Sequence, residues 1–410
     1  MPIDWLNVLL FCALSVGHAA LIVAVTNRVH AWPLPKRFLH RFRQGHDLVI
    51  VLLPIVFAWL AGLGGERLFF GGSWHDLPFP LLVYLVVCGA VAASLPGVAV
   101  YRRLVATTRL QLSQRSQVFD IARELGFRPI GHGPYEILTR VPGNELLKLE
   151  ITERECRLPR LPLEWDGLSI LHLSDLHFIG TVDRPYFERL VRLAGEIPAD
   201  LVVFTGDLLD REDLVAWLPA TLGRLSAPLG CYFVLGNHDA DLSNTDAIRA
   251  CLEELGWHGV AGRALSTEYR GRPFVICGSE VPWMGRQPDL GQVPREAFCL
   301  LLSHTPDNIR WAQWNQIDLM LSGHNHGGQV RLPGFGPVYS PSIYGCHYAS
   351  GVFWEPPTLL HVSRGISGKH PLRWNCLPEM TRLVLRAGSI EESDAVREKV
   401  RTTDFADARG

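Results

Sequence analysis

The sequence predicts an α/β fold preceded by a membrane-helical region, and three observations predict it. Long apolar runs are concentrated in the first quarter of the chain. In the second half, short Leu- and Val-rich runs alternate with amphipathic stretches, as buried strands alternate with helices. Five of those apolar runs end in polar clusters: Asp175/His177, Gly206/Asp207, Gly236/Asn237/His238/Asp239, Ser303/His304 and Gly323/His324/Asn325/His326. In open α/β sheets the ligand crevice forms beyond the carboxyl ends of the strands.

The membrane region comes first. Residues 5–25 are apolar apart from Asn7, Ser15 and His18, about the length needed to cross a bilayer core. The run lacks a basic leading segment and a small-residue cleavage site, so it reads as a retained anchor. Residues 48–63 are shorter and contain Pro54, which leaves a re-entrant alternative open. Residues 78–100 form a third span ended by Arg102 and Arg103. His18 reads as a hydrogen-bonded imidazole within the bundle rather than part of a pathway. Arg28, Lys36, Arg37, Arg41 and Arg43 lie between the first two spans, only Arg67 lies between the next two, and Arg102, Arg103, Arg109 and Arg115 follow the third. With three spans, positively charged loops put everything after residue 100 in the cytoplasm; two spans would reverse that parity. The expectation is a multi-pass inner-membrane protein whose bilayer is itself a partner.

Residues 1–112 are thus expected to be transmembrane, 113–165 a connector or small subdomain, 166–388 the catalytic domain and 389–410 a flexible tail. Within the connector, residues 117–125 have helical apolar spacing ending at Gly126, and 146–151 alternate like an edge strand. Residues 168–173, 201–204, 232–235, 274–277, 298–302 and 318–321 are expected strands. Amphipathic stretches at 184–194, 213–225 and 245–255, the last behind the cap Asn244, are expected between them. The tail is rich in Glu, Asp, Arg and Thr.

Composition narrows function mainly by exclusion. With 39 basic and 41 acidic residues there is no global positive field, and no nucleic-acid partner is expected. The nine cysteines are odd in number and scattered through apolar runs, so they read as small buried hydrophobes rather than a disulfide framework. Oligomeric state is left open.

The polar clusters carry the chemistry. Carboxylate, imidazole and amide donors without thiolate suit two adjacent divalent ions, Mn, Fe or Zn, rather than a structural Cys-rich zinc. A metal pair needs one shared ligand, and Asp207 is the bridging candidate. Asp175 and His177, two apart on an extended segment, face the same way, and His324 and His326 repeat that spacing. Hydrolysis at phosphorus is the expected reaction.

In this order, Asp-x-His, Gly-Asp, Gly-Asn-His-Asp, a lone His and Gly-His-x-His resemble the calcineurin-like metallophosphoesterases over residues 167–385. The separations of 32 residues (175 to 207) and 30 residues (207 to 237) each accommodate one strand-helix unit. The resemblance implies a four-layer α/β/β/α sandwich with a dinuclear centre. It implies Asp175, His177 and His326 on the first ion, Asn237, His304 and His324 on the second, and Asp207 on both. It further implies in-line attack by a hydroxide held between the ions, with His238 protonating the leaving oxygen and Asp239 orienting that imidazole. Asp210 is expected as a helix cap or supporting partner. His258, His347, His361 and His370 fall outside the ligand spacing; of these, His347, in the Gly/Pro/Tyr-rich loop 334–350, is the candidate for lining the pocket.

Residues 363–379 are similar to the end of membrane-associated bacterial members, including the type that cleaves UDP-2,3-diacylglucosamine. There Arg364 and Arg373 are candidate substrate-binding residues, since guanidinium forks suit phosphate and sugar oxygens. Trp283 and Met284 are a candidate apolar lip, while Trp311 and Trp314 read as helix-face packing. The expected function is therefore a membrane-anchored phosphoesterase acting on a phosphodiester or pyrophosphate, with a lipid-linked substrate such as UDP-2,3-diacylglucosamine. The alternatives are a phosphoprotein phosphatase and a non-catalytic membrane scaffold.

Overall fold

A computed structural model describes residues 2–105 and 108–389; most of the expected tail, 390–410, lies outside the described residues. Three helices open the chain: α1 (Trp5–Val29), α2 (Lys36–Phe57, continued by a π-helical turn Ala58–Leu63) and α3 (Phe79–Val105). Each is long and apolar enough to cross a membrane. Asp4 caps α1, accepting from the Leu6 and Asn7 amides. Close packing of α1 on α3 depends on Gly17, where a Cβ would stand 1.9 Å from the Cys88 carbonyl oxygen. His18 is buried, with one ring nitrogen on the Tyr84 hydroxyl and the other on the Val49 carbonyl, which is a structural role.

Beyond the helices the elements run β1 (Gln111–Asp120), α4 (Ile121–Leu125), β2 (Lys148–Leu158), β3 (Ser169–Leu173), α5 (Arg184–Gly195), β4 (Leu201–Thr205), β5 (Cys231–Val234), α6 (Thr245–Glu254), β6 (Trp257–Gly259), β7 (Ala264–Tyr269), β8 (Arg272–Ser279), β9 (Phe298–Ser303), α7 (Ile309–Trp314), β10 (Leu319–Ser322), β11 (Arg331–Leu332), β12 (Gly336–Pro337), β13 (Gly351–Glu355), β14 (Thr358–Val362) and β15 (Glu379–Ala387). One sheet has the order β1-β2-β15-β3-β4-β5-β6 and the second β13-β14-β10-β9-β8-β7, while β11 and β12 form a small ribbon. The strands that carry the polar clusters are parallel in each sheet.

Side-chain alternation explains the layering. In β4, Val202 and Phe204 pack outward on α5 and α6 residues, while Leu201 and Val203 point at the second sheet. In β9, Phe298, Leu300 and Leu302 face the first sheet and Cys299 and Leu301 face α7. Helix, sheet, sheet, helix is thus the four-layer sandwich that was expected.

Several local expectations are corrected. Residues 117–120 belong to β1, and only Ile121–Leu125 is helical, capped by Asp120; pairing with β2 outweighs helical spacing in a short amphipathic run. β2 is not an edge strand, since β1 and β15 flank it, and so segment 113–165 contributes both strands to the main sheet. Residues 213–225 form 3-10 turns, Glu212–Ala220 and Leu222–Arg224, with Pro219 removing a helical donor. Asn244 caps α6 as expected. All nine cysteines are free thiols, seven of them buried.

Candidate active site

The polar clusters sit just beyond the carboxyl ends of β3, β4, β5, β9 and β10, and the topology draws them together. Each chain leaves its strand by a sharp turn. Asp175, His177, Asp207, His324 and His326 all have positive φ, between 45° and 69°. Asp and His tolerate this left-handed region better than most residues, yet each such position costs about 1 kcal/mol or more and is concentrated at functional sites. Close approach also demands missing side chains. A Cβ on Gly236 would lie 2.2 Å from Asp207 Oδ1, and one on Gly206 would lie 2.7 Å from His304 Nδ1.

Backbone amides lock the turns to one another. The Asp175 amide donates to the Gly206 carbonyl at 2.9 Å and the His177 amide to the Asp207 carbonyl at 3.0 Å. The His238 amide donates to Asp207 Oδ1 at 2.9 Å, and the His324 amide to Asp175 at 3.1 Å.

Three groups of potential ligand atoms result among the described residues: Asp175, His177, Asp207 and His326; Asp207, His304 and His324; and His177, Asp210 and His238, the last joined by the carboxylate that bonds both imidazoles. Asp207 belongs to the first two. Asn237 joins the second, its Oδ1 lying 3.1 Å from His304 Nε2. All seven sequence-predicted ligand positions therefore converge.

Tautomers test whether these residues fit cations. His304 Nδ1 donates to the Thr205 carbonyl at 2.7 Å and His324 Nε2 to the Pro341 carbonyl at 3.0 Å. With both protons committed outward, His304 Nε2 and His324 Nδ1 turn lone pairs toward each other at 3.1 Å, beside the Asn237 oxygen. His177 Nδ1 likewise faces Asp210 Oδ2 at 2.7 Å, leaving its Nε2 lone pair 3.4 Å from Asp207 Oδ2. Acceptors converging in this way are held together by a cation among them, a proton or a metal ion, and outward hydrogen bonds of this kind orient imidazole ligands. The residues thus suit divalent metals. Burial opposes a charged His304, but Asp207 and Asp175 outweigh it and raise its pKa to about 9; the same negative field that attracts a proton attracts a metal ion.

His238 lies beside this centre, about one-fifth exposed. Its Nδ1 sits 2.7 Å from Asp210 Oδ1. Burial lowers its pKa, but the Asp207 and Asp210 charges more than compensate and raise it to about 9. The carboxylate that orients His238 is therefore Asp210, which the sequence had left as a cap or supporting partner, and the expectation for Asp239 is corrected. Asp239 is fully buried and accepts from the Leu208, Leu209 and Gly236 amides at 2.8–3.0 Å. It fastens the β4 turn to the β5 turn, because a residue following His238 into a 3-10 turn points inward rather than toward its neighbour's ring.

Arg364 and Arg373 are also corrected. Arg364 pairs with Glu379 at 3.0 Å and with Glu150 at 2.5 Å. Arg373 is completely buried and donates to the His326 and Arg364 carbonyls. Neither presents a free fork to a substrate; they tie the last segment beneath the site. His347 stacks on Tyr101 and does not line the cavity over the site, whereas His370 does. Trp283 borders it too, 4.8 Å from the His324 ring. His361 is a core residue paired with His172, and Trp314 is 79% exposed.

Fold and site together define a metal-dependent phosphoric ester hydrolase. A profile of the calcineurin-like phosphoesterases matches residues 168–328, and the chain belongs to that family. It is 30% identical over 251 residues to the uncharacterized metallophosphoesterase YkuE of Bacillus subtilis, an alignment covering 58% of this chain and 86% of YkuE. It is 30% identical over 291 residues to the bovine transmembrane protein with metallophosphoesterase domain, covering 65% of this chain and 64% of that one. With the UDP-2,3-diacylglucosamine pyrophosphatase LpxG of Chlamydia muridarum it shares 26% identity over 302 residues, 60% of this chain and 92% of LpxG.

Proposed function

We propose that the protein is a membrane-tethered phosphoesterase that uses two divalent ions, Mn, Fe or Zn, to hydrolyse a phosphodiester or pyrophosphate bond of a lipid-linked substrate. The observation that carries this reading is Asp207, shared by two ligand clusters and bonded through Oδ1 to the backbone amide of His238, whose ring lies against Asp210. Asp175, His177 and His326 would hold one ion, Asn237, His304 and His324 the other, and Asp207 both. When bound, the ions supply Lewis acidity at the phosphoryl oxygens and lower the pKa of water. His238 delivers the Nε2 proton to the leaving oxygen, with Asp210 holding Nδ1 so that Nε2 faces the cavity. Trp283 keeps water from one side of the His304/His324 pair.

The catalytic unit runs through both sheets, from β1 to β15. The protein sits in the inner membrane with three spans and its catalytic unit in the cytoplasm, as the Arg- and Lys-rich loops favour. Support for the geometry comes from Arg102 and Arg103, at the end of α3, which bond to the Pro337 and Gly334 carbonyls. Tethering raises the effective concentration of the site at the surface where a lipid substrate resides. The similarity to LpxG supports UDP-2,3-diacylglucosamine as the particular lipid-linked substrate proposed.

Hydrolysis of UDP-2,3-diacylglucosamine by purified, detergent-solubilised protein with Mn²⁺ tests the reading, beside bis(p-nitrophenyl) phosphate, a phosphopeptide and the Asp207→Ala variant. Chelator and Asp207→Ala are each expected to abolish turnover of the lipid. Cleavage of the chromogenic diester alone would keep the phosphoesterase and reject that lipid. Preference for the phosphopeptide would favour a protein phosphatase, and no turnover of any substrate would favour a scaffold.

A further inference from the structure

The cavity over the site, about 420 Å³, has walls from two parts of the chain. Its floor is formed by Asp207, His238, His324 and His326. Its lining also includes Trp32 and Leu34 from the turn between α1 and α2, Leu39 and Arg43 on α2, and Lys369 from the segment between β14 and β15. Trp32 and Leu34 are exposed, 59% and 38%, at the end of a helical hairpin long enough to span a bilayer. A lining that brings apolar side chains from the helical hairpin and the cations Arg43 and Lys369 to a phosphoester site matches an anionic head joined to a hydrocarbon chain.

The hairpin is fixed to the floor by a short path. Asn27 near the end of α1 accepts from the Ser340 amide at 3.1 Å and donates to the Val338 carbonyl at 3.3 Å. The next residue, Pro341, supplies the carbonyl that orients His324. A membrane helix and a candidate metal ligand are therefore held by consecutive residues of one strap. The positive field is also felt within the cavity: burial, then Arg43 and Lys369, lowers His370 to about 4. Among the described residues the acids lining the cavity are Asp207, a candidate ligand, and Asp241, so away from the candidate metal ligands Arg43 and Lys369 stand against Asp241 alone. Asp47, outside the lining, approaches Arg43 only at 4.0 Å in an exposed pair, and the lining favours an anion.

We propose that the α1–α2 turn is the substrate-selecting wall of this enzyme: Arg43 and Lys369 hold the anionic head of an amphiphilic phosphodiester, while its chain lies over Trp32 and Leu34 toward the bilayer. This rests on the phosphoesterase reading above and adds which residues choose the substrate. Bilayer anchoring by Trp32 is compatible with it, since an interfacial indole has one apolar face.

The test compares methyl p-nitrophenyl phosphate with hexadecyl p-nitrophenyl phosphate, two diesters with the same leaving group, in one detergent with Mn²⁺. For the wild-type full-length protein, kcat/KM is expected to favour the hexadecyl ester by about a hundredfold. Trp32→Ser/Leu34→Ser, at exposed positions that the fold does not need, is expected to cut that ratio about tenfold. Arg43→Gln/Lys369→Gln is expected to raise KM about tenfold for both esters, with a smaller effect at high ionic strength. A wild-type ratio near one, or a ratio that the Trp32/Leu34 variant leaves intact, would overturn the inference while hydrolysis of the methyl ester upholds the phosphoesterase. Failure to cleave either ester would overturn both.

Discussion

Asp210 Oδ1 accepts the Nδ1 proton of His238 at 2.7 Å. The other oxygen of the same carboxylate faces His177 at the same distance, so a single side chain orients both the candidate acid and a candidate metal ligand.

Replacing Asp210 by Asn removes one of the charges that raise His238. A general acid works below its own pKa, so loss of that charge moves the alkaline limb of the pH–rate profile to lower pH. Activity near neutrality is expected to fall about 10–100-fold, as for other groups that hold a metal-ligating histidine. Measuring kcat/KM against pH for wild type and Asp210→Asn checks this; an alkaline limb that stays in place would remove Asp210 from control of His238.

Acid should destabilise the fold through His172. This residue is buried between the sheets, with its ring nitrogens on His361 and Thr205. Burial lowers its pKa to about 3, against a raising influence from Glu379. Because the folded value is below the unfolded one, its stabilising effect is present above about pH 6.5 and is lost progressively as pH falls toward about 3. His172→Gln keeps a partner for Thr205 and cannot titrate. Its loss of stability between pH 6 and pH 4 is expected to be shallower than wild type by about 1.4 kcal/mol per pH unit, read from thermal melts in detergent. Parallel pH dependences in the two proteins would show that the buried pair is not responsible.

Arg364 is expected to matter for stability rather than for substrate. Arg364→Met would leave Glu379, about 1% exposed, with Arg154 alone. Removing one partner of a buried ion pair costs about 3 kcal/mol, a drop in Tm of several degrees. The KM for a chromogenic diester should stay near the wild-type value. A tenfold rise in KM without a change in Tm would restore Arg364 to the substrate.

The site and the fold were legible to different depths. Strands β3, β4, β5, β9 and β10 and helices α5 and α6 were readable because buried parallel strands and amphipathic helices leave short-range apolar patterns. The seven ligand candidates were readable for a related reason: each follows an apolar run with fixed local spacing. By contrast, the helix expected at residues 117–125 became mostly β1 because of a partner strand, β2, about thirty residues away, which no local window contains. Arg364 and Arg373 carried the right chemistry for phosphate, but burial against Glu379 and backbone carbonyls had already used it. For Asp210, the available signal was its position three residues after Asp207, which local spacing alone left among caps and supporting partners.

The sequence by itself determined the α/β class, the three apolar helices and the identity of the clustered donors, since composition and periodicity are properties of neighbouring residues. Tertiary structure alone decided that Asp210 rather than Asp239 orients His238, that Asp207 joins two clusters, and that the turn after α1 stands over the site. Those relationships depend on which side chains meet across strands, turns and a helical hairpin far apart in the chain, and on which hydrogen-bond partners burial leaves available.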